Sequence, residues 1–341
     1  MIVIMQVGAT KTQVAAVVAN VQKMGLNGHV IEGQERTIVA VVGDDRSAID
    51  RNALSALDGV ERTVPILAPY KIASREVHPA NTLIPFNGAS IGDRKIVIIA
   101  GPRALLQPEQ ILEIASALRD SGADGLYAGV FGYDASPYTA RTPVERSLQL
   151  LAEAHKQSGL PIVAEVTEPE LVPLIAKYAE VLLVTGENMQ NYPLLNTVGE
   201  SQRSILLKRG MVNTMEELLM AAEYILSHGN RQVMLCEAGI RTLEGYTQNT
   251  TFDINAVPVL KAKTHLPIIV DASRAAGHYE YVGSAAKAAI AAGADGLIIE
   301  VDGLPDTTPT DADGRQALNA RQFSALIEAL RPVAVAVGRN I

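Results

Sequence analysis

From Lys95 onward the chain repeats one pattern: a short apolar, β-prone run, then a stretch with helical spacing. The runs are Ile96–Ala100, Gly125–Gly129, Ile162–Glu165, Val181–Val184, Ile205–Leu207, Val233–Cys236, Ile268–Asp271 and Leu297–Glu300. They are continuously apolar rather than alternating, the mark of strands buried on both faces in a parallel sheet. Between them lie amphipathic stretches such as Glu109–Asp120, Pro143–Ser158 and Thr214–His228. Eight such units over roughly 240 residues predict a (β/α)8 barrel, a TIM barrel in the α/β class, over residues 95–341. A doubly wound sheet would want a G-x-G-x-x-G turn after its first strand, and none follows Ala100.

Residues 1–67 read as a separate small unit. Met1–Gln6 is apolar and β-prone, and Thr10 with Gln13 forms a capping-box pattern. Val14, Val17, Val18, Val21 and Met24 follow at helical spacing, with Gly25 as the stop. His29–Glu32 and Thr37–Val42 flank Gly33-Gln34-Glu35 as a hairpin. A second helix through Ile49, Ala53, Leu54 and Leu57 and a strand Val60–Ile66 complete βαββαβ, the ferredoxin-like order. This unit serves either assembly or the binding of a small effector. Residues 68–94 are rich in turn formers and read as a linker.

Composition narrows the function classes. Of 341 residues, 48% are apolar and 19% charged, enough for a large core and too ordered a mixture for disorder. A formal charge of −8 argues against a nucleic-acid partner, and no apolar run reaches the roughly 18 residues of a membrane span. The first residues lack the basic flank of a signal peptide, and the single cysteine, Cys236, excludes an internal disulfide. These features read as a soluble cytoplasmic protein, a homo-oligomer (dimer or tetramer) acting on a small molecule.

Chemistry in a (β/α)8 barrel sits where strands end and βα loops begin. The residues there include Arg103, Tyr127, Glu165, Glu187, Lys208, Arg209, Glu237, Asp271, Arg274 and Glu300. So many charges cannot be buried unpaired. They form either a salt-bridge network closing the mouth or a ligand site. Lys208 would be a Schiff-base nucleophile if its neighbours, Arg209 among them, lowered its pKa, with Glu237 or Asp271 as proton shuttles. Otherwise it is an ion-paired residue facing Glu187 or Glu300. Cys236, beside Leu235 in a strand, reads as a buried inert thiol.

Several stretches resemble the short, N-terminally extended type of 3-deoxy-D-arabino-heptulosonate 7-phosphate (DAHP) synthase. They are PYKIASREVHP (69–79), IAGP (99–102), SPY (136–138), NMQNYPLL (188–195), LLKRG (206–210), EYILSHGN (223–230), CEAGIRT (236–242), THLPIIVD (264–271), AAGADGLIIEV (291–301) and DGRQAL (313–318). The resemblance implies a ferredoxin-like domain before a barrel. It also implies a first step of the shikimate pathway, towards aromatic amino acids, in which phosphoenolpyruvate condenses with erythrose 4-phosphate. That family binds a divalent metal through Cys, His, Glu and Asp. Carried over singly, the Cys falls on Arg103, the His on Arg274 and the Glu on Glu300. The Asp falls on Asp313 by its DGxQxL context, or on Asp311 by an ungapped count.

A guanidinium offers a metal no lone pair, so the resemblance implies a site with no metal and no cofactor. The anion wall differs as well. Tyr127, Gly132, Asp134, Glu187 and Ala238 stand where the family carries Arg or Lys, with Tyr133 inside the altered stretch, while Lys208 matches a phosphoenolpyruvate ligand. The expected binding set is therefore Arg103, Arg274, Tyr127, Tyr133, Asp134, Glu187, Arg209, Glu300 and Asp313 around Lys208, Glu237 and Asp271.

Three functions are consistent with this pattern. The first is a diverged, metal-independent enzyme for a carboxylated or carbonyl small molecule. The second is a non-catalytic regulator in a hetero-oligomer with an active synthase. The third is a DAHP synthase proper.

Overall fold

The computed structural model describes residues 1–33, 36–42, 51–64, 69–103, 108–129, 143–243, 250–303 and 316–341. Contacts divide the chain into Met1–Ala80 with Ala262–His265, and Asn81–Lys261 with Leu266–Ile341.

The first unit contains β1 (Ile2–Met5), α1 (Lys11–Lys23), β2 (Asn27–Glu32), β3 (Thr37–Val42), α2 (Arg51–Ser55) and β4 (Val60–Val64). Its antiparallel sheet has the order β2-β3-β1-β4, the ferredoxin-like arrangement. The capping box forms: the Gln13 N–H donates to Thr10 Oγ1 at 3.3 Å, and the Thr10 N–H to Gln13 Oε1 at 2.8 Å. It fixes the start of α1, so that Val14, Val17 and Val21 pack on Val3, Val39 and Leu54. Residues from the predicted linker join this unit. Val77 packs with Ile2 and Ala40, and Thr264 Oγ1 donates to the Ala73 carbonyl at 2.5 Å.

The second unit opens with a hairpin, β5 (Ile84–Phe86) and β6 (Ala89–Ile91). Then come β7 (Val97–Gly101), α3 (Pro108–Asp120), β8 (Gly125–Ala128), α4 (Val144–Ser158), β9 (Ile162–Val166), α5 (Val172–Ile175), β10 (Val181–Val184), α6 (Tyr192–Glu200), β11 (Ser204–Lys208), α7 (Met215–Ser227) and β12 (Val233–Glu237). A short pair, β13 (Ile240–Arg241) and β14 (Thr250–Thr251), precedes α8 (Ala256–Lys263), β15 (Ile268–Asp271), α9 (Ala272–Ala276), α10 (Tyr279–Ala292), β16 (Gly296–Gly303), β17 (Leu318–Asn319) and α11 (Ala320–Ala336). Strands β7 to β12, β15 and β16 pair in parallel, and the β15–β16 and β16–β7 pairings close the barrel. Each of the eight predicted apolar runs is one of its strands. Among the described residues, no helix is long and apolar enough to cross a membrane.

Every second strand residue points inward. Val97, Ile99, Tyr127, Val163, Leu183, Leu206, Met234, Ile269 and Ile298 form one buried cluster with Ile84, Phe86 and Ile91 of the hairpin. The entry end of the barrel is fastened by a recurring device. Asp124 accepts from the Ile98 N–H at 2.9 Å and donates its own N–H to the Ile98 carbonyl at 2.7 Å. Asp295 does the same with Ile268, and Glu180 with Ile162. Both aspartates lie in a Gly-Ala-Asp-Gly sequence, at 122–125 and 293–296. At the other end Gly101 permits β7 to approach β8: a Cβ there would lie 1.9 Å from the Tyr127 carbonyl oxygen.

Candidate active site

Strand phase decides which charged residues meet. Glu165, Lys208, Asp271 and Glu300 lie two positions beyond Val163, Leu206, Ile269 and Ile298, all of which line the barrel interior. Since side chains alternate along a strand, these four project into the barrel mouth. Lys208 Nζ reaches Asp271 Oδ2 at 2.7 Å, with side-chain exposures of 14% and 2%. Asp271 Oδ1 also accepts from the Arg274 N–H at 2.9 Å, capping α9. One layer deeper, Tyr127 donates its hydroxyl to Glu165 Oε1 at 2.6 Å. Glu300 Oε2 accepts from Gln316 Nε2 at 2.7 Å, and its N–H donates to Ser273 Oγ at 2.9 Å.

Burial and neighbouring charge set the protonation of this group. Burial by itself would lower the Lys208 pKa, but the charge and hydrogen bond of Asp271 more than offset it and hold the amine charged. This reverses the expectation of a lowered, nucleophilic Lys208; its partner is Asp271, not Glu187 or Glu300. Burial pushes the Glu165 carboxyl up, against the Tyr127 hydrogen bond and the charges of Lys208 and Arg103. Burial and then Asp271 push the Glu300 carboxyl to about 7, opposed by Arg103, Gln316 and Lys208. Burial, then Glu165, raises the Tyr127 hydroxyl well above the ordinary phenol. The fully buried Cys236 thiol is likewise raised by burial and stays protonated, as its place in a strand suggested.

Glu237 belongs to a different assembly. In the β11–β12 ladder Lys208 stands opposite Cys236, so Glu237 is out of phase with the interior row. Its Oε2 accepts from Arg209 Nη1 at 2.8 Å and its Oε1 from the Gly239 N–H at 2.8 Å. Arg209 also reaches Asp253 Oδ2 at 2.9 Å and the Asn213 carbonyl at 2.9 Å. Arg209 and Glu237 thus brace the loops around the mouth, and the structure does not bring Glu237 to Lys208 and Asp271.

Arg103 and Arg274 are held differently. Arg274 lies 3.8 Å from Glu187 Oε1 at the partly exposed rim. Burial raises the Glu187 pKa, but its own backbone N–H and Arg274 outweigh this, and the net direction is down. The Arg103 charge acts on both Glu165 and Glu300. Tyr133, Asp134, Asp311 and Asp313 lie outside the described residues. Two residues gained importance only in three dimensions. In the sequence Glu165 is one strand-end carboxylate among several. Gln316 sits inside the DGRQAL stretch, and its proximity to Glu300 has no local signal.

Among the described residues, no three His, Cys, Asp or Glu side chains converge to hold a metal ion. The Glu300 carboxylate is already bonded to Gln316 and lies under the field of Arg103. Guanidinium groups have no lone pair to give. The described residues therefore do not fit a divalent transition metal.

Comparison with known proteins agrees with the architecture. The DAHP synthetase I family matches residues 75–337, and the DAHP synthase ferredoxin-like domain matches residues 1–68. A phospho-2-dehydro-3-deoxyheptonate aldolase of Thermotoga maritima is 38% identical over 341 residues, covering 100% of both chains. A 2-dehydro-3-deoxyphosphooctonate aldolase of Syntrophobacter fumaroxidans is 27% identical over 261 residues, 71% of this chain and 88% of that one. The crystal structure of the Thermotoga maritima DAHP synthase aligns with a TM-score of 0.77 at 37% identity, covering 99% of this chain and 98% of that one. A truncated form of 3-deoxy-D-arabino-heptulosonate 7-phosphate synthase from the same organism aligns with a TM-score of 0.72, covering 79% of this chain and 98% of that one.

Proposed function

The chain belongs to the DAHP synthetase I family, and from that premise we propose that its barrel mouth joins two carbon chains by an aldol-type condensation. The substrates are those the resemblance implies, phosphoenolpyruvate and erythrose 4-phosphate, and the product is the one for which the Thermotoga maritima relative is named. The observation that carries this reading is the buried Lys208–Asp271 pair at the barrel mouth, in a chain matched end to end by that relative.

Each described residue has a part that needs no further group. The Lys208 ammonium, fixed by Asp271 at 2.7 Å, is a cation at neutral pH for the carboxylate or phosphate of the donor. Arg103 adds a second positive charge facing Glu165 and Glu300, where an aldehyde oxygen gains charge as the bond forms. Glu300, with its carboxyl at about 7, exchanges a proton near neutrality. The test is direct: incubate the purified chain with both substrates, with and without added divalent ions, and follow phosphate release and the seven-carbon product. Turnover that falls by at least about 100-fold in Lys208→Met supports the reading. No product under any metal condition overturns it.

A second reading is favoured by Arg274 against Glu187 and by Arg103 near Glu300. In it the condensation proceeds without a divalent metal, on a carboxylated or carbonyl partner carrying less phosphate. Turnover unaffected by a chelator supports it; turnover that requires manganese, iron or zinc removes it.

A further inference from the structure

The Glu165 carboxyl sits at the end of β9, 7% exposed, in the interior row with Lys208, Asp271 and Glu300. Tyr127 on β8 stands one layer deeper, 3% exposed, its ring part of the apolar barrel core. Its hydroxyl donates to one oxygen of that carboxyl, Oε1, at 2.6 Å. A ring packed in the core cannot swing, so this bond fixes the rotation of the Glu165 carboxyl. The Lys208 ammonium is already ion-paired with Asp271, which leaves Glu165 with a neutral hydrogen-bond partner.

The groups that face Glu165 come from every neighbouring element: Tyr127 on β8, Lys208 on β11, Arg103 after β7 and Glu187 after β10. Farther round the mouth are Asp271 on β15 and Glu300 on β16. Burial raises the proton affinity of Glu165, and Tyr127 opposes it.

Resting on the aldol-type reading above, we propose that Glu165 is a proton-transfer residue of this mouth, oriented by Tyr127. As the enol carbon of the donor bonds to the aldehyde carbon, the C=O electron pair moves onto the aldehyde oxygen. That oxygen takes the Glu165 proton and becomes a hydroxyl. The carboxylate left behind keeps the Tyr127 bond and faces the positive charges of Lys208 and Arg103. Water then adds to the former enol carbon and returns a proton to Glu165. The C–O bond to the phosphate breaks as the added hydroxyl becomes the keto group, its proton leaving with the phosphate, so Glu165 ends the turnover as it began. The step needs no oxidant and no reductant.

The test is the pH profile of phosphate release from phosphoenolpyruvate and erythrose 4-phosphate in the full chain, with melting temperature as the check on folding. Glu165→Gln lowers kcat by at least about 100-fold with KM within about threefold. Tyr127→Phe removes the bond that holds the carboxyl down, and so moves the alkaline limb of kcat to higher pH. A folded Glu165→Gln that keeps kcat within about threefold, or a folded Tyr127→Phe whose limb does not move, overturns the proposal. Infrared titration of the carboxyl bands separates this inference from the reading beneath it. If the wild-type chain forms no product, the aldol reading falls. Glu165 is then judged by a titrating band that Glu165→Gln deletes and Tyr127→Phe shifts. A band set unchanged by both substitutions overturns it.

Discussion

Replacing Asp271 by Asn removes a charge and little else. The Asn oxygen still accepts from the Arg274 N–H, so the α9 cap and its contribution of about 1 kcal/mol survive. What disappears is the counter-charge of Lys208, whose side chain is only 14% exposed and 2.7 Å away. Removing one partner of a buried pair costs about 3–5 kcal/mol, because the other charge stays desolvated. In a domain of this size each kcal/mol lowers the melting temperature by about 2–4 °C, so at 3 kcal/mol the drop is about 6–12 °C.

The pH dependence gives a second readout. In the wild type the folded Lys208 pKa is raised, so its stabilisation is full below the unfolded value near 10.4 and is lost only at higher pH. It is therefore flat between about pH 6 and about pH 9. In Asp271→Asn burial dominates and the folded value falls below the unfolded one, so stability increases with pH and the deficit narrows across that window. Thermal unfolding of Asp271→Asn, Lys208→Met and the double variant measures the coupling. The double variant is expected to lose about 3 kcal/mol less than the sum of the two singles. A drop below about 3 °C in Asp271→Asn, or strict additivity in the cycle, would refute the reasoning.

Glu300→Gln should gain stability relative to the wild type as pH rises from about 4.5 to about 7. The folded carboxyl pKa is raised, so the wild type loses roughly 3 kcal/mol across that window while the amide does not; a difference in melting temperature that is constant with pH would contradict this. Gly101→Ala should fail to fold or lose more than about 3 kcal/mol, since its Cβ would lie 1.9 Å from the Tyr127 carbonyl oxygen; a soluble variant melting like the wild type would disprove the β7–β8 approach. Asp295→Ala leaves Lys261 and Arg339 without their shared carboxylate and unpins the Ile268 N–H. Its expected cost is about 2–4 kcal/mol with KM unchanged, because it acts at the entry end of β16; an altered KM with unaltered melting would count against that placement.

The sequence by itself determined the elements, because their signals are local. Leu182, Leu183 and their neighbours form an apolar run too short for a helix and too continuous for a half-exposed strand. Thr10 and Gln13 satisfy each other within one turn, and that box needs no distant partner. The motif resemblance was equally legible, since it rests on residue order. Only the tertiary structure decided which charges meet. Lys208, Glu237 and Asp271 all end strands, so the sequence grouped them as one catalytic set. The β11–β12 register puts Cys236, not Glu237, opposite Lys208, and a shift of one residue turns a side chain to the other face. Glu237 consequently pairs with Arg209, which also reaches Asp253, 44 residues away in the chain. The state of Lys208 followed the same rule. Arg209, next to it in the sequence, was a candidate for lowering its pKa, but Asp271, 63 residues on, holds the proton in place. Strand phase and barrel closure are non-local, so a linear reading names the charged residues at the mouth while folding chooses their partners.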